Sequence, residues 1–271
     1  MKRYILFIGL LGALHAFAAP EDNQARIATV ADHRQQQDGG GERIDGGASL
    51  EISGSKEGAD TTFKPGKIWP DDQGVHINAH GGGVMHHDGT YYWFGEHKVA
   101  GGAGNRAQVG VHVYSSKDLT NWKDEGIALK VSDDPSSDIV RGCIIERPKV
   151  IYNAKTNTFV MWFHLELKGQ GYHAARSGIA VADKPCGPYT YNRSIRPNAG
   201  VWPQNVTPEQ KDPASIARTR AEKEQFSGGP TPKHAQFNIL GSHVEGGQMA
   251  RDMNLFVDDD GKAYHLYSSE H

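Results

Sequence analysis

The sequence predicts an all-β fold of repeated sheets, a β-propeller, and three stretches predict it together. Each reads as a polar residue, an apolar strand, a turn and an aromatic strand. The first runs from His76-Ile77-Asn78-Ala79-His80-Gly81-Gly82-Gly83-Val84 to Tyr91-Tyr92-Trp93-Phe94-Gly95-Glu96, turning at His87-Asp88-Gly89-Thr90. Asp-Gly between apolar runs is a strong short-range hairpin signal. The second leads from Glu146-Arg147-Pro148-Lys149-Val150-Ile151-Tyr152-Asn153 into Phe159-Val160-Met161-Trp162-Phe163-His164. The third leads from Arg251-Asp252-Met253-Asn254-Leu255-Phe256-Val257 through Asp258-Asp259-Asp260-Gly261-Lys262 into Ala263-Tyr264-His265-Leu266-Tyr267. Recurring hairpins of this kind build blades around a channel. The polar residue of each unit starts an innermost strand, so repetition would bring all of them to one end of that channel.

In chain order, residues 1–18 read as a secretory signal. Lys2 and Arg3 precede an apolar run from Ile5 to Leu14, too short to span a membrane, and Ala16-Phe17-Ala18 is a small-x-small cleavage site. The mature chain is therefore expected to be soluble and secreted or periplasmic. Residues 19–62 are polar and rich in Gly, Gln and Asp, which predicts a disordered linker. Order is expected from about Phe63, giving a partial propeller domain over 63–271.

Asn78 and His80 ahead of three glycines have no packing rationale. Glycines let the backbone approach something closely, and Asn and His can hydrogen-bond it. Val109 to Ser116 alternates as a strand, and Lys117-Asp118-Leu119-Thr120-Asn121-Trp122 turns into the outer strand of the first blade. Ser177 to Ala182 and Gly187-Pro188-Tyr189-Thr190-Tyr191 repeat that plan in the second blade. Residues 192–248 break the rhythm and read as an insertion, with a helix expected over Ile216–Phe226 from its good helix formers. The sequons at Asn192 and Asn205 matter only in a host that glycosylates. Cys143 and Cys186 fall on the central and rim strands of one blade, where an unbridged pair would act as small buried hydrophobes.

The formal net charge of −3 is spread over mixed signs without a basic patch, which argues against a nucleic-acid partner. The pattern holds two blades and the first half of a third, whereas a propeller needs at least about four to close. The 271 residues thus read as part of a longer domain, expected on their own to be inactive and poorly stable.

Asn78-Ala79-His80-Gly81-Gly82-Gly83, Tyr91-Tyr92-Trp93-Phe94-Gly95-Glu96, Glu146-Arg147-Pro148-Lys149-Val150 and Arg251 to Asp258 resemble glycoside hydrolase family 43, in the branch around exo-β-1,3-galactanases. The resemblance covers about residues 63–191 and 248–271. It implies a five-bladed β-propeller, of which about two and a half blades are present, and an inverting mechanism with carboxylates from several blades at the channel mouth. It further implies that Asp252 orients the general acid and tunes its pKa, that Glu146 holds the terminal sugar, and that Tyr172 contacts it. Glu146 and Asp252 are thus the catalytic candidates, with Asn78, His80, Gly82, Glu96, Tyr172 and Glu270 for substrate binding. Most of the family places a base aspartate at the start of the first blade. Here Asn78-Ala79-His80-Gly81 has no carboxylate, a departure the galactanase-like branch shares, and that branch draws a side-chain amide from a later blade. The family's general acid lies beyond Asp252, with no candidate before His271.

The chemistry agrees with this assignment. Glycosidic cleavage by inversion needs an acid for the leaving oxygen and a base for water on the opposite face, roughly 6.5–9.5 Å apart. Structural readings stand beside it: a Glu146–Arg147 ion pair, Asp252 as a turn cap, Glu96 as a solvated strand end, Trp93 and Trp162 in the core, His80 bonded to backbone. Asp258-Asp259-Asp260 fits a turn better than a calcium loop, so no cofactor is expected. The sequence predicts an exported, exo-acting glycoside hydrolase on galactose- or arabinose-containing polysaccharide. The alternative is a non-catalytic sugar-binding propeller. The expected partner is a polysaccharide or oligosaccharide, with no nucleic acid, no membrane span and a monomeric state.

Overall fold

A computed structural model describes residues 6–10, 61–225 and 238–269. A short strand β1 (Leu6–Leu10) comes first. Two antiparallel meanders follow, each four neighbouring strands in sequence order. The first sheet is β2 (His80–His87), β3 (Thr90–Glu96), β4 (Gly110–Ser116) and β5 (Lys123–Lys130). The second is β6 (Ile144–Asn153), β7 (Thr158–Glu166), β8 (Arg176–Ala182) and β9 (Thr190–Ile195). A third sheet pairs β10 (Met253–Val257) with β11 (Ala263–Ser268), and β11 takes β1 on its other edge. Leu6–Leu10 are the part of the expected signal segment that falls among the described residues. The expected linker over 19–62 falls outside the described residues except for its last two positions.

Local chemistry explains the turns. Asp88 (φ 47°) and Gly89 (φ 67°) both take the left-handed region, as a two-residue hairpin whose twist matches its strands requires. Gly261 (φ 77°) closes the β10–β11 loop, where Gly261 N–H donates to Asp258 O and Lys262 pairs with Asp260. Among the described residues no group of three or more His, Cys, Asp or Glu could hold a metal ion, and no helix is long and apolar enough to cross a membrane.

The sheets pack face to face. Phe94, Val111, Val113 and Leu129 of the first meet Ile145, Met161, Phe163 and Leu165 of the second in one buried cluster. Trp162 and Ile179 on the second sheet's opposite side meet Met253 and Tyr267 of the third. A strand buried on both faces loses the in-out alternation of a surface strand, which is why β7 reads as a continuous apolar run. Cys143 lies in the first cluster with Cys186 packed against it, and both are free thiols. Burial pushes them up to about 12 and about 11.

The rhythm breaks later than the sequence suggests. β9 runs on to Ile195, so Asn192 to Ile195 belong to the second sheet rather than to the insertion. Among the described residues three helices follow: α1 (Pro208–Lys211), α2 (Pro213–Gln225) and α3 (Ile239–Val244). α2 begins before the expected Ile216 because the Asp212 carboxylate accepts from Ala214 and Ser215 N–H, ahead of Pro213 at the first helical position. Thr207 and Gln210 form a reciprocal capping box on α1. Asn198 donates to the Tyr267 hydroxyl at 2.6 Å, and that hydroxyl donates to Gln248 Oε1 at 2.5 Å. These bonds tie both ends of the insertion to β11.

Candidate active site

The start of the first strand and the end of the second share one end of an antiparallel pair. The registers His80↔Glu96 and Glu146↔His164 therefore put four polar residues at the same end of two neighbouring sheets. Asp252 joins them from the start of the third, fixed there because Ser268 N–H donates to its carbonyl. Each of the first two sheets slips register at this end, between His80 and Gly83 and between Glu146 and Lys149. Bulges commonly re-aim side chains beside functional sites. The second one holds Arg147 at φ 56°, a strained value for a non-glycine residue.

The glycine run is explained by what lies against it. A Cβ at Gly82 would sit 1.9 Å from the Phe94 carbonyl oxygen, and one at Gly83 would sit 2.5 Å from Lys149 Cδ. The close approach is thus to β3 and to Lys149, whose ammonium donates to Gly82 O at 3.0 Å and Gly81 O at 3.4 Å. Burial, with the charge of Arg147, pulls Lys149 down to about 8.

Glu96 is buried and bridges sheets rather than ending a strand in solvent. Its carboxylate meets Lys98 Nζ at 2.5 Å and His80 Nδ1 at 3.2 Å, and accepts the Arg147 N–H at 3.3 Å. Asn78 brackets the next residues, its amide accepting from Lys98 N–H and donating to Lys98 O, both at 2.8 Å. Arg147 reaches on to Asp252 at 2.7 Å. A polar chain therefore crosses all three sheets, from His80 through Glu96 and Arg147 to Asp252. The neighbours in sequence do not pair with each other. Glu146 faces Arg251, not Arg147, because adjacent strand residues point to opposite faces.

Glu146 differs from the other carboxylates. Its side chain is 14% exposed, and Arg251 stands 3.7 Å away, beyond hydrogen-bond length. Its oxygens therefore keep acceptor capacity for a ligand hydroxyl. Tyr172, in a 3-10 turn over Tyr172–Ala174, lies with its ring 3.6 Å from the Arg251 guanidinium carbon and is 42% exposed. Trp162 is core, His76 is surface, and Trp93 packs in an aromatic cluster with Trp69 and Trp122. Glu270 lies outside the described residues.

The sequence reading passed over Glu166 and His164. Buried polar residues two apart on an apolar strand share one face, and that spacing was the available signal. His164 is wholly buried, with Nδ1 3.1 Å from the Ala250 carbonyl oxygen and Nε2 3.1 Å from Glu166 Oε1. The ring thus spans two acceptors, the Ala250 carbonyl and the Glu166 carboxylate. The hydrogen bond from His164 first, then the charges of His164 and Arg251, hold Glu166 below its usual range against the opposing effect of burial. A separate open hollow at the outer end of the first sheet, lined by Trp69, Asp72, Lys117 and Asn121, is remote from this chemistry. Its Asp118 carboxylate is already taken by Thr120 and Asn121.

With these residues in place, comparison with solved structures is decisive. A family 43 β-1,3-galactosidase with bound galactodeoxynojirimycin matches at 52% identity and a TM-score of 0.64, over 75% of this chain and 58% of that one. Over three quarters of its length the chain is similar to glycoside hydrolase family 43 enzymes. An exo-β-1,3-galactanase from Phanerochaete chrysosporium with β-1,3-galactotriose matches at 32% identity and TM-score 0.51, over 75% of this chain and 35% of the other. One from Clostridium thermocellum matches at 33% and 0.50, over 75% and 37%. The chain thus spans between about a third and three fifths of these proteins. No family profile and no curated protein matched it.

Proposed function

We propose that the full-length protein is an exported, exo-acting, inverting glycoside hydrolase that removes galactose from β-1,3-linked galactan, working on a five-bladed propeller. The three consecutive sheets, each offering its polar strand end to the same place, support that architecture. The observation that carries the function is Glu146, enclosed where the sheets meet with acceptor oxygens unspent, with Tyr172 on its partner Arg251 and Asp252 paired to the next residue, Arg147. A terminal sugar presents hydroxyls to such a carboxylate and an apolar face to an aromatic ring. Asp252, held by Arg147, is placed to orient a proton donor on the leaving oxygen. The charged start and apolar run of residues 2–14 support export. The resembled structures are of hydrolases, so nothing favours a purely sugar-binding role.

Incubating the full-length protein with β-1,3-galactan and with aryl arabinofuranosides tests the reading. Galactose release from the first is expected. Sugar release from neither would overturn it.

A further inference from the structure

We infer that Arg251 is a positioning residue for this site, set by a buried His164–Glu166 couple and acting on substrate only through Glu146 and Tyr172. The inference rests on the functional reading above. It starts from the two charged faces of one guanidinium. Arg251 Nη1 lies 3.4 Å from Glu166 Oε1, and Nη2 lies 3.7 Å from Glu146 Oε2. Its flat face covers the Tyr172 ring at 3.6 Å. One planar group thus fixes a carboxylate and an aromatic ring that come from different elements, β6 and the 3-10 turn. Its own backbone is fixed as well, because Arg251 N–H donates to Ser268 O at 3.1 Å.

The charges are arranged to keep it there. Arg251 is 17% exposed, Glu146 14%, Glu166 9% and His164 not at all. Two carboxylates this deep carry a large desolvation cost unless matched. Arg251 supplies a positive charge to both, and the His164 ring, 3.1 Å from Glu166 Oε1, gives that carboxylate a second partner. Glu166 therefore draws Arg251 inward with full charge, and the second Nη is aimed at Glu146 at a distance that orients without occupying it. An ammonium at the same place cannot span both carboxylates or lie flat on the ring.

A double-mutant cycle separates positioning from plain structural support. Turnover of β-1,3-galactan by the full-length protein is measured for wild type, Glu146→Gln, Arg251→Met and the double variant, with thermal melting of each. Arg251→Met is expected to lower kcat/KM by about 10²-fold. In the Glu146→Gln background the same change should cost clearly less, about 10-fold or under, because only the Tyr172 contact is then left to lose. Arg251→Lys, which keeps the charge, should lose at least about 10-fold while melting within a few degrees of wild type, and it stands in should the methionine variant not fold. Losses that multiply in the double variant, or near-wild-type turnover in Arg251→Lys, would overturn the inference and leave the hydrolase reading intact. The same cycle in galactose affinity by calorimetry needs no turnover. A wild-type protein showing neither turnover nor binding would overturn the functional reading and this inference with it.

Discussion

Glycine 82 shows how little freedom the site leaves at one residue. A methyl group there would sit 1.9 Å from a backbone oxygen of β3, which no side-chain movement can relieve. Gly82→Ala is expected to destabilise the protein by at least about 3 kcal/mol, the upper end for an overpacked position. Urea unfolding checks this, and an unchanged midpoint would show that β2 does not run against β3 as described. Glu146→Gln and Asp252→Asn keep volume while removing a charge. Each is expected to lower turnover of the full-length protein by about 10²-fold or more, the scale of acid–base machinery, with folding nearly intact. Wild-type rates in both variants would take these residues out of the site. Both were legible in the sequence as polar residues opening apolar strands. Their partners were not. Arg147 with Asp252 and Arg251 with Glu146 are set by which face of a bulged strand each side chain leaves, and the bulge itself has no local signature.

At the scale of elements, the hairpins were legible because turn chemistry is local, as at Asp88-Gly89 and Asp260-Gly261. The end of β9 was obscured because polar Asn192, Arg193 and Ser194 carry no strand signal, although Ser194 is buried and bonded to Arg176 and Asp138. The interface between the second and third sheets has a weak point at His265 of β11. It is buried against Trp162 and Tyr267, and its Nε2 has no hydrogen-bond partner among the described residues. Burial lowers it from 6.5 to about 4. The neutral ring is the one that fits, so its contribution is complete above pH 6.5 and is lost as pH falls from there to about 4, on the order of 3 kcal/mol. Glu166, held below 4.5, gives way only at lower pH. His265→Phe is expected to flatten the pH dependence of unfolding between about 4 and 6.5 relative to wild type. Parallel curves for the two proteins would contradict this.

For the whole molecule, the all-β class and the order of the sheets followed from repetition. The site followed from placing equivalent strand ends together. The buried His164–Glu166 couple did not, since its residues read as part of an apolar strand. The proposed function makes these strand ends an exo-acting galactoside-cleaving centre that inverts configuration. Inversion at a β-linkage delivers α-galactose before mutarotation. The most direct test is proton NMR of β-1,3-galactan during the first minutes of hydrolysis by the full-length protein. Free galactose is expected as the early product, with the α-anomer signal rising ahead of the β. Early oligosaccharides, a leading β-anomer signal, or no galactose at all would contradict it.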